Sequence, residues 1–208
     1  MVRAPTPPTD RAPVRLRRAA AADAPALTEL ALRSKRSNGH DDAFVTACRE
    51  ELTVTAADLR EGECWVADDG AVQGFAMLRP GCPDGVGEVH ALFVEPDRQR
   101  AGIGRALWDR LAERARARGF VELRLDADPA AVPFYRSVGL ETIGESPSGS
   151  IPGRMLPRMA GRLSPPAPPA RTASPGESAS ASAPRRAARS TSGGRARRPR
   201  RSGPPSRR

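Results

Sequence analysis

The run Gln99-Arg100-Ala101-Gly102-Ile103-Gly104 constrains this chain more than any other segment. It lies between a strand-like stretch, Val89 to Val94, and a long amphipathic segment that begins near Arg105. Glycine tolerates the backbone angles of a sharp strand-to-helix turn and lets main chain come close to a ligand. The first N–H groups of the following helix have no intrahelical acceptor, and the helix dipole favours negative charge beside them. Strand, glycine turn and helix in that order make a cradle for a pyrophosphate. A dinucleotide site of the Gly-x-Gly-x-x-Gly kind wants a third glycine where this chain has Leu107, so that alternative falls away.

The flanking segments fit the same plan. From Arg105 to Arg118, Leu107, Leu111 and Ala115 continue the stripe begun by Ile103, with the arginines and Glu113 elsewhere, and Gly119 ends the helix. A strand is expected over Val121 to Leu125. Asp128-Pro129 then reads as an N-cap with proline at the first helical position, opening a short helix that Gly139 closes. A further strand runs from Leu140 to Ile143, and a strand–helix–strand unit of this length implies parallel pairing. Upstream, Val14 to Arg18 reads as an edge strand, Asp23 to Lys35 and Asp41 to Leu52 as amphipathic helices, and Thr55 as the cap of a short turn. Cys64 to Ala67 and Val72 to Leu78 are strands joined at Asp68-Asp69-Gly70, whose Asp-Gly step is a hairpin signal.

Gln-x-x-Gly-x-Gly after a strand, followed about thirty residues later by Ala-x-x-Phe-Tyr-x-x-x-Gly, resembles the GNAT superfamily of acetyl-coenzyme A-dependent N-acetyltransferases. The likeness covers most of Val14 to Leu163. It implies an α/β fold: a mixed, mostly antiparallel sheet with a splayed parallel pair, flanked by helices. It implies acetyl-CoA as co-substrate, with no metal. Main-chain groups of Leu92, Phe93 and Val94 would bind the pantetheine arm and the thioester carbonyl. The turn from Arg98 and Gln99 through Arg100, Ala101, Gly102 and Ile103 to Gly104 and Arg105 would hold the pyrophosphate, the arginines adding charge-assisted bonds.

The resemblance also implies roles in the chemistry. Tyr135, the only tyrosine in the chain, stands where the family has the acid that protonates the leaving sulfur. Glu88, fourteen residues before Gly102, stands where some members have a base. Strict alternation would put Glu88, His90 and Leu92 on one strand face, so His90 joins or replaces Glu88. The family often has asparagine where this chain has Asp128; a carboxylate cannot donate, so Asp128 is read as a cap rather than a ligand. Glu145 to Met159 resembles the loop and final strand that wall the acceptor side in small-molecule members. The expected acceptor is therefore a small, amino-acid-like primary amine, attacked directly, without an acyl-enzyme.

Composition divides the chain. Ser164 to Arg208 holds eleven arginines, one glutamate and no aromatic residue, which leaves 23 basic and 23 acidic residues elsewhere. The net charge of +10 belongs to this tail. Such a segment cannot offset its ordering entropy and is expected to be disordered, as is the Pro-rich leader 1–12. Residues 13–163 remain as one domain. A rival reading makes the chain a weakly catalytic acetyl-CoA-binding protein tethered to nucleic acid by the tail. Monomer and homodimer both stay open. The three cysteines, Cys48, Cys64 and Cys82, lack metal-type spacing and read as reduced thiols of a cytoplasmic protein. No stretch approaches the roughly 20 apolar residues of a membrane span.

Overall fold

The computed structural model describes residues 13–164. The leader, and the tail beyond Ser164, lie outside them. Seven strands form one sheet in the order β1-β2-β3-β4-β5-β7-β6. They are β1 (Arg15–Arg18), β2 (Glu63–Asp68), β3 (Val72–Pro80), β4 (Val86–Val94), β5 (Glu122–Asp126), β6 (Glu141–Pro147) and β7 (Met155–Arg162). Every pairing is antiparallel except β4 with β5.

The helices are α1 (Ala24–Ser37), α2 (Asp42–Ala47), α3 (Arg49–Leu52), α4 (Ala56–Glu61), α5 (Ile103–Ala117) and α6 (Val132–Ser137). The single helix expected from Asp41 to Leu52 is two, because the chain turns at Cys48 (φ −82°, ψ −5°). Asp41 and Thr55 cap α2 and α4 by accepting from the Phe44 and Asp58 amides.

Apolar side chains pack on both faces of the sheet. On one, Ile103, Leu107, Leu111 and Ala115 of α5 meet Ala76, Leu78 and Leu123. Helix α5 comes so close to β3 that a Cβ at Gly74 would stand 3.2 Å from side-chain atoms of both Ile103 and Leu107. On the other face Leu27, Leu30 and Ala31 of α1 cover Phe75 and Met77. Cys64 lies wholly buried in that second core, and burial pushes its thiol up to about 12. It is a packing residue, not a nucleophile.

Two departures from simple expectation shape the site. First, β6 does not pair with β5. The later strand β7 inserts between them, antiparallel to both, so the β5–α6–β6 unit is parallel in direction without adjacency. Second, the register of β3 against β4 skips one residue, Met77 pairing with Ala91 and Leu78 with Val89. His90 is the extra residue, a β-bulge. The bulge breaks the alternation: Val89 and Leu92 both pack in the α5-side core. Glu88 and Leu92 therefore do not share a face.

Candidate active site

Strands β4 and β5 pair only from Val86 to Glu88 and from Glu122 to Arg124. Beyond that, β5 continues beside β7 while β4 continues beside β3, and the two diverge. Main-chain groups of Val89 to Val94 that point toward β5 thus have no strand partner. Buried main-chain groups in this state need a ligand or water to satisfy them.

At the open end of this fork the chain turns into α5. Gly102 has φ +84°, and Arg100, with φ +62°, is the one non-glycine residue in the left-handed region among the described residues. Two left-handed residues so close together fold the chain sharply into α5, whose first N–H groups have no intrahelical acceptor. No side chain caps α5 at Gly102, and no atom lies within 4 Å of where a Cβ there would stand. The turn is kept open by sequence, not by contact.

A cavity of about 840 Å³ runs along the fork from this turn to the β6–β7 segment. Glu88, His90, Leu92, Phe93, Val94, Gln99, Arg100, Gly102, Gly104, Arg105 and Tyr135 all line it. Three expected contributors do not. Ile103 is buried in the core, Ala101 stays on the outer turn, and Arg98 turns away to pair with Asp69 at 3.1 Å, tying the turn to the β2–β3 hairpin. Arg105 pairs along its own helix with Asp109, and Gln99 donates to Ser37 on α1. Arg100 has no ion pair among the described residues, so its charge is available to an anion.

Tyr135 is packed edge-on against both Trp108 and Phe134, with ring centroids 6.1 and 5.2 Å away. Burial first, and then the Asp128 charge, raise its phenol well above the usual tyrosine value. The hydroxyl stays protonated at working pH. Glu88 is held through both oxygens by Arg158 of β7, with Nη2 at 2.9 Å from Oε2, and the same guanidinium reaches Asp126 at 3.3 Å. His90 is pushed below the ordinary histidine value by burial and by Arg79, so it stands neutral.

Arg158 escapes a sequence reading because only the β7 register brings it to Glu88. Lys35, Glu51 and Asp126 also line the cavity and carry no local motif. Asp128 does cap, accepting from the Ala130 amide at 3.1 Å. It also binds Lys35 at 2.7 Å and His40 at 2.9 Å, and lies 3.5 Å from Arg154. Those partners hold its carboxyl down at about 2. Among the described residues no group of three or more His, Cys, Asp or Glu side chains is arranged to hold a metal, and no helix is long and apolar enough to cross a membrane.

Known proteins share this fold. The fold matches an N-acetyltransferase, PaiA of Thermoplasma acidophilum, solved in complex with coenzyme A, with a TM-score of 0.61 over 72% of this chain and 99% of that one at 18% identity. A mycothiol acetyltransferase of Beutenbergia cavernae is 36% identical over 117 residues, 50% of this chain and 39% of the relative. An N-alpha-acetyltransferase, RimI of Mycobacterium tuberculosis, is 45% identical over 58 residues, 27% of this chain and 36% of the relative. The chain thus spans well under half the length of these curated relatives. Residues 24–140 match the sequence profile of the Acetyltransferase (GNAT) family. That match spans more than half of the chain, and the chain belongs to the GNAT acetyltransferase family.

Proposed function

We propose that this protein moves an acetyl group from acetyl-CoA to the primary amine of a small, amino-acid-like acceptor by direct attack. The observation that carries this reading is the open β4–β5 fork, with a left-handed turn at one end of its cavity and Tyr135 on its wall. Acetyl-CoA supplies an activated thioester. The unpaired main chain of β4 binds its extended arm and polarises the carbonyl, as oriented N–H groups do where charge develops. The left-handed turn and the first N–H groups of α5 hold the pyrophosphate, with Arg100 adding charge.

Tyr135 gives its proton to the departing sulfur as the new C–N bond forms and the C–S bond breaks. The amine's proton goes to neutral His90 or, through water, to Glu88. Arg158 holds both oxygens of Glu88 and so fixes the direction in which that carboxylate faces the cavity. A relative named for mycothiol, and a cavity walled by Pro147, Gly149 and Leu156 of the β6–β7 segment, support a small acceptor.

A melting curve with and without acetyl-CoA tests the reading. Ligand at 100 times Kd adds about 2.7 kcal/mol, hence roughly 5–10 °C for a domain of this size. No shift at millimolar acetyl-CoA would sink it.

A further inference from the structure

Asp128 does more than cap a turn. A single oxygen, Oδ2, meets three groups from three separate segments: Lys35 of α1, His40 of the α1–α2 loop and Arg154 of the β6–β7 loop. All four side chains are largely buried, at 13%, 18% and 19% exposed for Lys35, His40 and Arg154 and 11% for Asp128. Phe44 is their apolar floor. His40 stacks on it at 4.0 Å and 8°, and the Arg154 guanidinium lies 4.7 Å from its centroid. The other carboxylate oxygen is taken by the Ala130 amide.

The position of this cluster is what matters. Helix α1 packs against β3 and β4, while Asp128 follows two residues after β5. The Lys35–Asp128 pair therefore crosses from the β4 arm of the fork to the β5 arm, and both residues line the cavity. The β6–β7 loop has a second tie, from Ser150 to Glu51 of α3. Where the strands part, side chains rejoin the two arms.

We propose that Asp128 is a positioning residue: its carboxylate latches the α1–α2 and β6–β7 loops together across the fork and so fixes the wall against which the acceptor is held. This rests on the acetyltransferase reading for its consequence, but not for its geometry. A neutral side chain of the same shape keeps the cap and loses the latch, because asparagine still accepts from the Ala130 amide yet cannot hold three cationic or polar donors on one oxygen.

Hydrogen–deuterium exchange on the full, ligand-free chain tests this. Both loops contain bonded amides to follow, including Phe44 N–H to Asp41 and Ser148 N–H to the Arg154 carbonyl. In Asp128→Asn, exchange should rise at least tenfold in 38–44 and in 148–154 together, while 132–138 stays within twofold of wild type. Arg154→Gln should loosen 148–154 to the same degree, and adding it to Asp128→Asn should change that segment no further. Release of acetyl-CoA, followed by tryptophan fluorescence, should be at least threefold faster in Asp128→Asn. Unchanged loops, or loosening confined to 132–138, would overturn the latch. Should Asp128→Asn not fold, Arg154→Gln decides through 148–154 alone. Wild type that fails to bind acetyl-CoA would instead overturn the acetyltransferase reading, which the exchange result does not depend on.

Discussion

At the scale of single residues, the site separates groups by protonation. Tyr135 is kept an acid by its apolar surroundings and by the nearby Asp128 charge, whereas His90 is kept neutral. Tyr135→Phe should lower kcat by about 10²–10⁴-fold, with the acetyl-CoA Kd within about threefold, since the ring packing on Trp108 survives. Loss of binding instead would mean the hydroxyl serves the coenzyme site. If His90 takes the amine's proton, the acid limb of kcat/KM lies below the ordinary histidine value of about 6.5, because its pKa is depressed. That limb should vanish in His90→Gln and persist in Glu88→Gln; the reverse would assign the base to Glu88. Asp128 bears on stability. Its carboxyl titrates at about 2 in the fold against a model-peptide value near 3.8. The folded pKa is depressed, so its contribution is present above the unfolded value and is lost as pH falls from about 4 through about 2. The size is about 2 kcal/mol, measurable as wild type and Asp128→Asn converging in urea midpoint at low pH.

At the scale of elements, the turn and α5 act together. Gly102 at φ +84° makes no contact a Cβ would disturb, so the cost of Gly102→Ala is conformational, on the order of 1–2 kcal/mol. It should lower Tm by a few degrees and weaken acetyl-CoA binding more than Leu111→Ala does. Leu111 is fully buried, so its truncation should cost about 2–5 kcal/mol while sparing the turn. Equal effects on binding would remove the special role of the turn. These elements were legible in sequence because their signals are local. The stripe from Ile103 to Ala115, the Asp-Gly hairpin and the glycine turn each rest on neighbours within a few residues. The bulge at His90 was not legible, because an extra residue in one strand is defined only against the register of another. The Asp128 cluster joins residues 35, 40 and 154, and Arg98 finds Asp69 across a hairpin; no local pattern encodes either.

At the scale of the whole molecule, the surplus charge lies in the sequence beyond the described residues. Residues 1–163 are formally balanced, with 23 basic and 23 acidic side chains, while the arginine-rich tail carries the surplus. A protein ending at Leu163 should therefore keep the full acetyl-CoA melting shift. Any DNA binding by the full chain should fall steeply between 50 and 200 mM salt, as counterion release demands (about 10³–10⁵-fold for six to ten phosphate contacts), and should be absent from the shorter protein. A melting shift that disappears with the tail would show that the tail belongs to the fold.

The insertion of β7 between β5 and β6 has a consequence for synthesis. Strand β5 ends 29 residues before the partner that covers its outer edge, residues 155–162, begins. During that interval the hydrogen-bonding edge of Leu123 and Leu125 is bare, a template for another strand. A released chain that ends near residue 154 keeps β5 and lacks β7, and is therefore the fragment whose sheet edge is most open to misassembly.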